Sequence, residues 1–287
     1  MSTRLLLCSD LDRTLLPNGQ QSESPGARQI LSRFVSRPQV LLVYVTGRHR
    51  QRVEQAIINY RLPQPDFVIC DVGTTIFEVT ANGWQLQQAW QDEIAPDWAG
   101  LTRMDISALL GSFKLLRLQE TAKQNIHKLS YYVPLYADHV ALLDEVRDCL
   151  ARHDVNVSLV WSVDEPAGLG LLDVLPARAN KLHALKFLMQ QCGFSQLDTV
   201  FAGDSGNDLP VLASDIPAVL VANASKAVRK AAQQQAATLG HSSQLYLAAG
   251  GLLGMNGNYS AGVLEGIVHF IPQTEAWLEQ HQAGRAE

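Results

Sequence analysis

Long apolar runs, paired cysteines and a surplus of either charge are all missing from these 287 residues. No uncharged apolar stretch approaches the ~18 residues that a membrane span requires. The opening run Leu5-Leu6-Leu7-Cys8 is shorter than the ~7–15-residue apolar region of a signal peptide, so a cytoplasmic protein is expected. The four cysteines, Cys8, Cys70, Cys149 and Cys192, form no Cys-x-x-Cys pair. Neither a zinc ribbon nor a disulfide scaffold is therefore expected. Lys and Arg number 23 against 28 Asp and Glu, a net charge of -5. That balance gives no electrostatic reason to seek nucleic acid or an anionic membrane. A Walker A loop, a Gly-x-Gly-x-x-Gly turn after the first strand and a Gly-x-Ser-x-Gly elbow are absent too, which sets aside nucleotide binding of those kinds and serine esterase chemistry. The eight histidines show no metal spacing, which argues against zinc. What is present is 47% hydrophobic, enough for a sizeable core. The length suits two domains, or one with a large insertion.

Short continuous apolar runs at Leu5–Cys8, Val40–Val45, Phe67–Cys70, Val200–Ala202 and Ala218–Ala222 read as strands buried on both faces. Helical patterns near Gly26–Val35, Arg50–Tyr60, Lys181–Cys192 and Lys226–Ala236 alternate with them. The alternation predicts a doubly wound, Rossmann-like α/β core with a parallel sheet, its site at the carboxyl ends of the strands. The rhythm breaks in the middle. Thr74–Val79 and Trp84–Ala89 suggest a hairpin about Ala81-Asn82-Gly83. An amphipathic stretch (Trp98–Leu110), a strand (Leu129–Val133), a helix (His139–Arg152) and two more strands (Val157–Val163, Gly170–Leu175) follow. Alternation at Val157, Leu159, Trp161 and Val163 predicts an antiparallel sheet with one solvated face. Residues 90–176 are expected as an inserted α/β cap, with 1–89 and 177–287 forming the core. Gly250-Gly251 with Gly254 and Gly257 reads as a loop to which no function attaches.

Four elements carry chemistry. The first strand ends in Ser9-Asp10-Leu11-Asp12-Arg13-Thr14, and residues two apart on extended backbone face one way. Two carboxylates ~4 Å apart at an effective dielectric near 20 repel by about 4 kcal/mol. A magnesium ion, with its preference for hard oxygen ligands, would relieve that repulsion. Gly203-Asp204-Ser205-Gly206-Asn207-Asp208 again follows a strand, and a helical turn starting at Ser205 would put Asp204 and Asp208 on one face. Thr46-Gly47-Arg48 offers a hydroxyl and backbone N–H groups where a strand opens into a helix, a place suited to phosphate. Lys181, at the start of a helix, could bring an ammonium to the same anion.

In this order, Asp10-Leu11-Asp12-Arg13-Thr14, Thr46-Gly47-Arg48, Lys181 and Gly203–Asp208 resemble the four motifs of the haloacid dehalogenase superfamily. The insert between the second and third resembles its group with a large α/β cap, type IIB. Cys70-Asp71-Val72-Gly73-Thr74-Thr75-Ile76, the segment Glu120-Thr121 through Gln124-Asn125-Ile126-His127-Lys128-Leu129-Ser130-Tyr131-Tyr132-Val133, and Asp173-Val174-Leu175-Pro176 are similar to sucrose-phosphate phosphatases.

The resemblance implies a phosphohydrolase in which Asp10 is the nucleophile and forms an aspartyl-phosphate. It implies that Asp12 is the acid and base. Mg2+ would be held by Asp10, the Asp12 carbonyl, Asp204 and Asp208, while Thr46 and Lys181 would offset charge on the phosphoryl oxygens. Gly47, Arg48, Gln124, His127, Lys128, Arg178, Asn180 and Asn207 are the expected substrate-binding residues. The implied substrate is a small-molecule sugar phosphate, sucrose 6-phosphate before mannosylfructose, glucosylglycerol, glycosylglycerate or trehalose phosphates, and supplied by a glycosyltransferase of the same pathway. A phosphosugar mutase and a non-catalytic sugar-binding protein are the alternatives. The paired carboxylates speak against the latter, because a binding protein has no need of them.

Overall fold

The computed structural model describes residues 4–164 and 167–282. Among the described residues, twelve strands form two sheets. In chain order they are β1 (Leu5–Ser9), β2 (Val40–Val45), β3 (Phe67–Cys70), β4 (Thr75–Thr80), β5 (Gly83–Leu86), β6 (Arg117–Leu118), β7 (Leu129–Pro134), β8 (Val157–Asp164), β9 (Leu169–Pro176), β10 (Thr199–Gly203), β11 (Ala218–Leu220) and β12 (Leu245–Leu247). The large sheet runs β12-β11-β10-β1-β2-β3-β4-β5. Its first six strands in that order are parallel, and β4 and β5 close one edge as an antiparallel hairpin.

Strand β1 shows why the sheet is apolar throughout. Leu5 and Leu7 join one core with the helices Ala27–Val35 and Ser260–Phe270, whereas Leu6 and Cys8 join the opposite core with Lys181–Cys192. Each face of a parallel strand meets a helix layer, so neither side can be polar. The connections run to β2 on one side of β1 and return to β10 on the other. The crevice at such a reversal, beyond the carboxyl ends, is where open α/β sheets place their ligands.

The small sheet is antiparallel, in the order β6-β7-β9-β8. Leu129, Tyr131, Val133, Leu172 and Val174 pack under the helices Arg103–Leu109 and His139–Ala151. Alternate residues, among them Leu171 and Asp173, face the carboxyl edge of the large sheet.

Several boundaries differ from expectation. The hairpin's second strand stops at Leu86, and a helix takes over at Gln88–Ile94. Trp90 and Ile94 of that helix are buried in the core of the large sheet, inside the range expected for the insert. The amphipathic stretch shortens to Arg103–Leu109 behind a capping box of Thr102 and Asp105. Strand β12 and the helices Ser260–Phe270 and Glu275–Gln282 extend the fold past the last expected element. Among the described residues, no helix is long and apolar enough to cross a membrane. All four cysteines are unpaired.

Candidate active site

The carboxyl ends of β10, β1, β2 and β3 deliver Asp204, Asp10, Thr46 and Asp71 to one cavity of about 470 Å³. Asp10 leaves β1 with its N–H still donating to the Ala202 carbonyl of β10 at 2.9 Å, so the sheet itself fixes it. A 3₁₀ turn, Gly206–Asp208, starts at Ser205 as expected. It returns Asp208 Oδ2 to accept from the N–H groups of Asp204 and Ser205, each at 3.1 Å. This return is tight: a Cβ on Gly203 would lie 2.7 Å from Asp208 Cγ, so only glycine fits there.

Lys181 is buried between two of these carboxylates. Its ammonium donates at 2.7 Å to Asp10 Oδ1, at 2.7 Å to Asp208 Oδ1 and at 3.2 Å to Asn207 Oδ1. Burial works against that charge, but Asp10 and Asp208 outweigh it and hold the ammonium above the ordinary lysine range. Asp10, Asp204 and Asp208 offer ligand oxygens within 4.8 Å of one another, all buried. One buried ammonium cannot compensate three carboxylates, and Arg13 reaches Asp204 only at 3.4 Å from an exposed position. Burial pushes the Asp10 pKa above the ordinary carboxylate range; Lys181 pulls it back, while Asp208 and Asp204 add to the rise. Burial and Asp208 together push Asp204 up to about 6. An all-oxygen site with excess negative charge fits a hard divalent cation.

Asp12 has a different setting. Its carboxylate accepts a fork from Arg48, Nε at 2.7 Å and Nη2 at 2.6 Å, and a third bond from Asn18 Nδ2 at 2.7 Å. Burial raises its pKa, but these bonds outweigh burial and leave it below the usual carboxylate range. Its side chain thus stands apart from the three-carboxylate cluster. Arg48, expected on substrate, is engaged with Asp12 instead. Thr46 is buried, and its hydroxyl accepts from the Arg48 N–H at 3.2 Å. Gly47 and Asn207 both line the cavity.

Of the expected substrate contacts from the middle of the chain, Lys128 alone lines the cavity. It is buried, 3.3 Å from Asp173 and 2.8 Å from Ser130 Oγ. Gln124, expected on sugar, instead donates to the carbonyls of Gln119 and Ser130 and accepts from the Ser130 N–H. His127, expected likewise, bonds Gln91 at 2.8 Å and meets the Trp98 ring edge-on. Burial lowers its pKa. Arg178 is clamped to Asp97 and Glu93 where the two sheets join, and Asn180 caps the helix that carries Lys181. None of these four lines the cavity. The roof is built by residues to which sequence reading assigned no site role, although Asp173 and Lys123 lie in stretches similar to the family: Gln119, Lys123, Ser162, Asp164, Leu171 and Asp173. The signal for them is the period-two pattern, in which polar Asp173 alternates with core Leu172 and Val174.

The family model for sucrose-6F-phosphate phosphohydrolase matches residues 3–271. A Nitrosococcus oceani protein described only as HAD-like hydrolase is 52% identical over the whole chain, which covers 77% of it. Tobacco sucrose-phosphatase 1 is 28% identical over 78% of the chain, and the chain spans about half (51%) of that relative's length. The mannosylfructose-phosphate phosphatase of Agrobacterium fabrum is 27% identical over 76% of the chain and 83% of its own length. The solved sucrose-phosphatase of Synechocystis sp. PCC6803, in complex with sucrose and phosphate, superposes with a TM-score of 0.72 at 27% identity. That superposition covers 94% of this chain and 99% of the other. With its Rossmann-like core and capping sheet, the chain belongs to the sucrose-6F-phosphate phosphohydrolase family of the haloacid dehalogenase superfamily, and so to the phosphoric monoester hydrolases.

Proposed function

We propose that this enzyme releases phosphate from a phosphorylated disaccharide, sucrose 6-phosphate foremost, with Mg2+ as cofactor. The observation that carries the proposal is the buried group of Asp10, Asp204 and Asp208 around Lys181, set at the floor of a cavity roofed by polar residues of the small sheet.

In this reading an Asp10 carboxylate oxygen attacks phosphorus while the bond from phosphorus to the sugar oxygen breaks, leaving an aspartyl-phosphate. Asp12 donates a proton to the departing sugar oxygen, then takes one from the water that displaces phosphate from Asp10. To donate, it must first part from Arg48, which now holds it ionised, and take up a proton from solvent. Lys181 keeps Asp10 in register for attack and offsets charge between two anions. Thr46 offers its hydroxyl to a phosphoryl oxygen. Mg2+ held by the Asp10 and Asp204 carboxylates, the Asp12 carbonyl and Asp208 would supply further charge neutralisation to the phosphoryl oxygens. Lys128, Asp173, Ser162 and Asp164 face the space beyond the phosphate, where donors and acceptors suit sugar hydroxyls. The four unpaired cysteines suit a reducing cytoplasm, where a glycosyltransferase would supply the substrate.

Mannosylfructose phosphate is a second candidate, because the Agrobacterium relative is spanned over 83% of its length. A phosphate-release screen over sucrose 6-phosphate, mannosylfructose phosphate, trehalose 6-phosphate and glucose 6-phosphate tests the assignment. Sucrose 6-phosphate is expected to give the highest kcat/KM. Equal turnover of glucose 6-phosphate would overturn the disaccharide assignment and leave only the phosphatase class.

A further inference from the structure

The glycine-rich segment beyond residue 249 lies behind the loop that follows β1, not in the cavity. A continuous run of hydrogen bonds joins the two. The Tyr259 N–H donates to Asn223 Oδ1 at 2.8 Å, and Asn223 Nδ2 donates to the Arg13 carbonyl at 2.6 Å. On the other side of the same residue, the Arg13 N–H donates to Asn18 Oδ1 at 2.9 Å, and Asn18 Nδ2 donates to Asp12 Oδ1 at 2.7 Å. Arg13 and Tyr259 both sit at left-handed φ, 59° and 51°, which residues with side chains rarely adopt. One buried side chain, Asn223, holds a peptide group of each.

Further bonds tie the segment to the same loop. The Tyr259 hydroxyl donates to the Gln21 carbonyl at 3.0 Å, and the Asn256 N–H donates to Ser24 Oγ at 2.9 Å. Buried Glu265 anchors the root of the segment by accepting from the N–H groups of Ala249 and Gly250. Strained backbone persists only where its surroundings over-determine it, and such sites gather around function.

We propose that Asn223 and Tyr259 are positioning residues, a strut through which the C-terminal segment sets the Arg13–Asn18 turn and, with it, the Asp12 carboxyl. The proposal rests on the reading of Asp12 as acid and base. Without the strut, Arg13 relaxes toward ordinary φ and carries Asn18 and Asp12 with it. Asp10 stays, because its N–H is bonded within the sheet. The defect therefore falls on the proton transfers of Asp12, first to the leaving oxygen and then from water, not on attack of Asp10 at phosphorus.

Two substrates separate these steps when the first turnover alone is followed, because the second step needs Asp12 as base whatever the leaving group. Sucrose 6-phosphate, or whichever alkyl phosphate the wild-type enzyme turns over fastest, releases an alkoxide that needs a proton. p-Nitrophenyl phosphate releases a phenolate that does not. In single-turnover release of the leaving group, Asn223→Ala should slow the sugar phosphate about tenfold or more, as small misplacements do, while the aryl phosphate stays within about twofold. Asn18→Ala, at an exposed position that leaves the core intact, should show the same selectivity. The double variant should fall little further than the worse single one, since both break one chain. Asp12→Ala is the reference and should be the most selective of all. Parallel loss on both substrates in the first turnover of Asp12→Ala would overturn the acid assignment and the strut together. A selective Asp12→Ala beside an Asn223→Ala and an Asn18→Ala that lose both activities equally, or neither, would overturn the strut alone.

Discussion

The floor of the cavity and its roof are built on opposite principles. On the floor, Lys181, Asp10 and Asp208 are buried and bonded at 2.7 Å, held by the carboxyl ends of parallel strands under two helix layers. On the roof, Ser162, Asp164 and Asp173 stand on the open face of an antiparallel sheet, with Lys123 in a turn beside it, and all four are only partly buried or exposed. Charges in a dry floor are worth far more than the same charges in water, and their positions cannot drift. Contacts on a half-wet face are individually worth little and easily exchanged. The floor should therefore decide whether phosphate is released at all, and the roof from which sugar.

The largest expected effect is at the floor. Asp10→Asn keeps the shape but removes the nucleophile, and phosphate release should drop by on the order of 10⁴-fold or more on every substrate. Near-normal turnover by that variant would dissolve the distinction between floor and roof. Lys181→Met should come next. It leaves Asp10 and Asp208 buried without their cation, which typically costs about 3–5 kcal/mol, measurable by denaturant unfolding in the absence of metal. Chelation by EDTA should silence the enzyme, and Mg2+ should restore it. Activity indifferent to chelation would remove the metal from the floor.

At the roof, Asp173→Ala should raise KM for the disaccharide phosphate by about tenfold, roughly 1.4 kcal/mol, with kcat nearly unchanged. A fall in kcat on all substrates alike would place Asp173 functionally with the floor. The smallest effect concerns the seam. Burial pushes Asp71 up to about 6 from its ordinary 3.8, against the pull of Lys128 and Asn125. A carboxyl that binds its proton more tightly when folded stabilises fully below its unfolded value and loses that contribution as pH rises through its folded value. Asp71→Asn should thus gain thermal stability relative to wild type between about pH 4 and pH 7. A constant difference across that range would mean the side chain is solvated.

The same contrast explains what could be read in advance. Asp10, Thr46, Lys181, Asp204 and Asp208 were legible because each follows a strand end or opens a helix, so backbone geometry alone aims them at one point. Gln124 and His127 were misread because donor chemistry says nothing about direction. Backbone carbonyls next to Gln124, and Gln91 beside His127, take those donors first. Arg178, expected on substrate, stands where the two sheets join, and two carboxylates from a helix and turn some eighty residues earlier claim it. Arg48 and Asp12 were each assigned a separate task, whereas 36 positions of sequence separation hide a bidentate pair. Asp173 opens a stretch similar to the family yet carries no expected role, although its alternation with Leu172 and Val174 already fixes its face.

The run that returns from the small sheet has a mechanical consequence. Only Ala177–Asn180 separates β9 from the helix that begins with Lys181. At that point Gly73 approaches Asn180 so closely that a Cβ would sit 2.5 Å from its carbonyl carbon, while Asp97 grips the N–H and guanidinium of Arg178. The junction is riveted just ahead of the ammonium. Substitutions in the upper sheet should therefore leave the spacing of Lys181, Asp10 and Asp208 unchanged, so tastes in cargo can be retuned above the rivet without detuning the engine below.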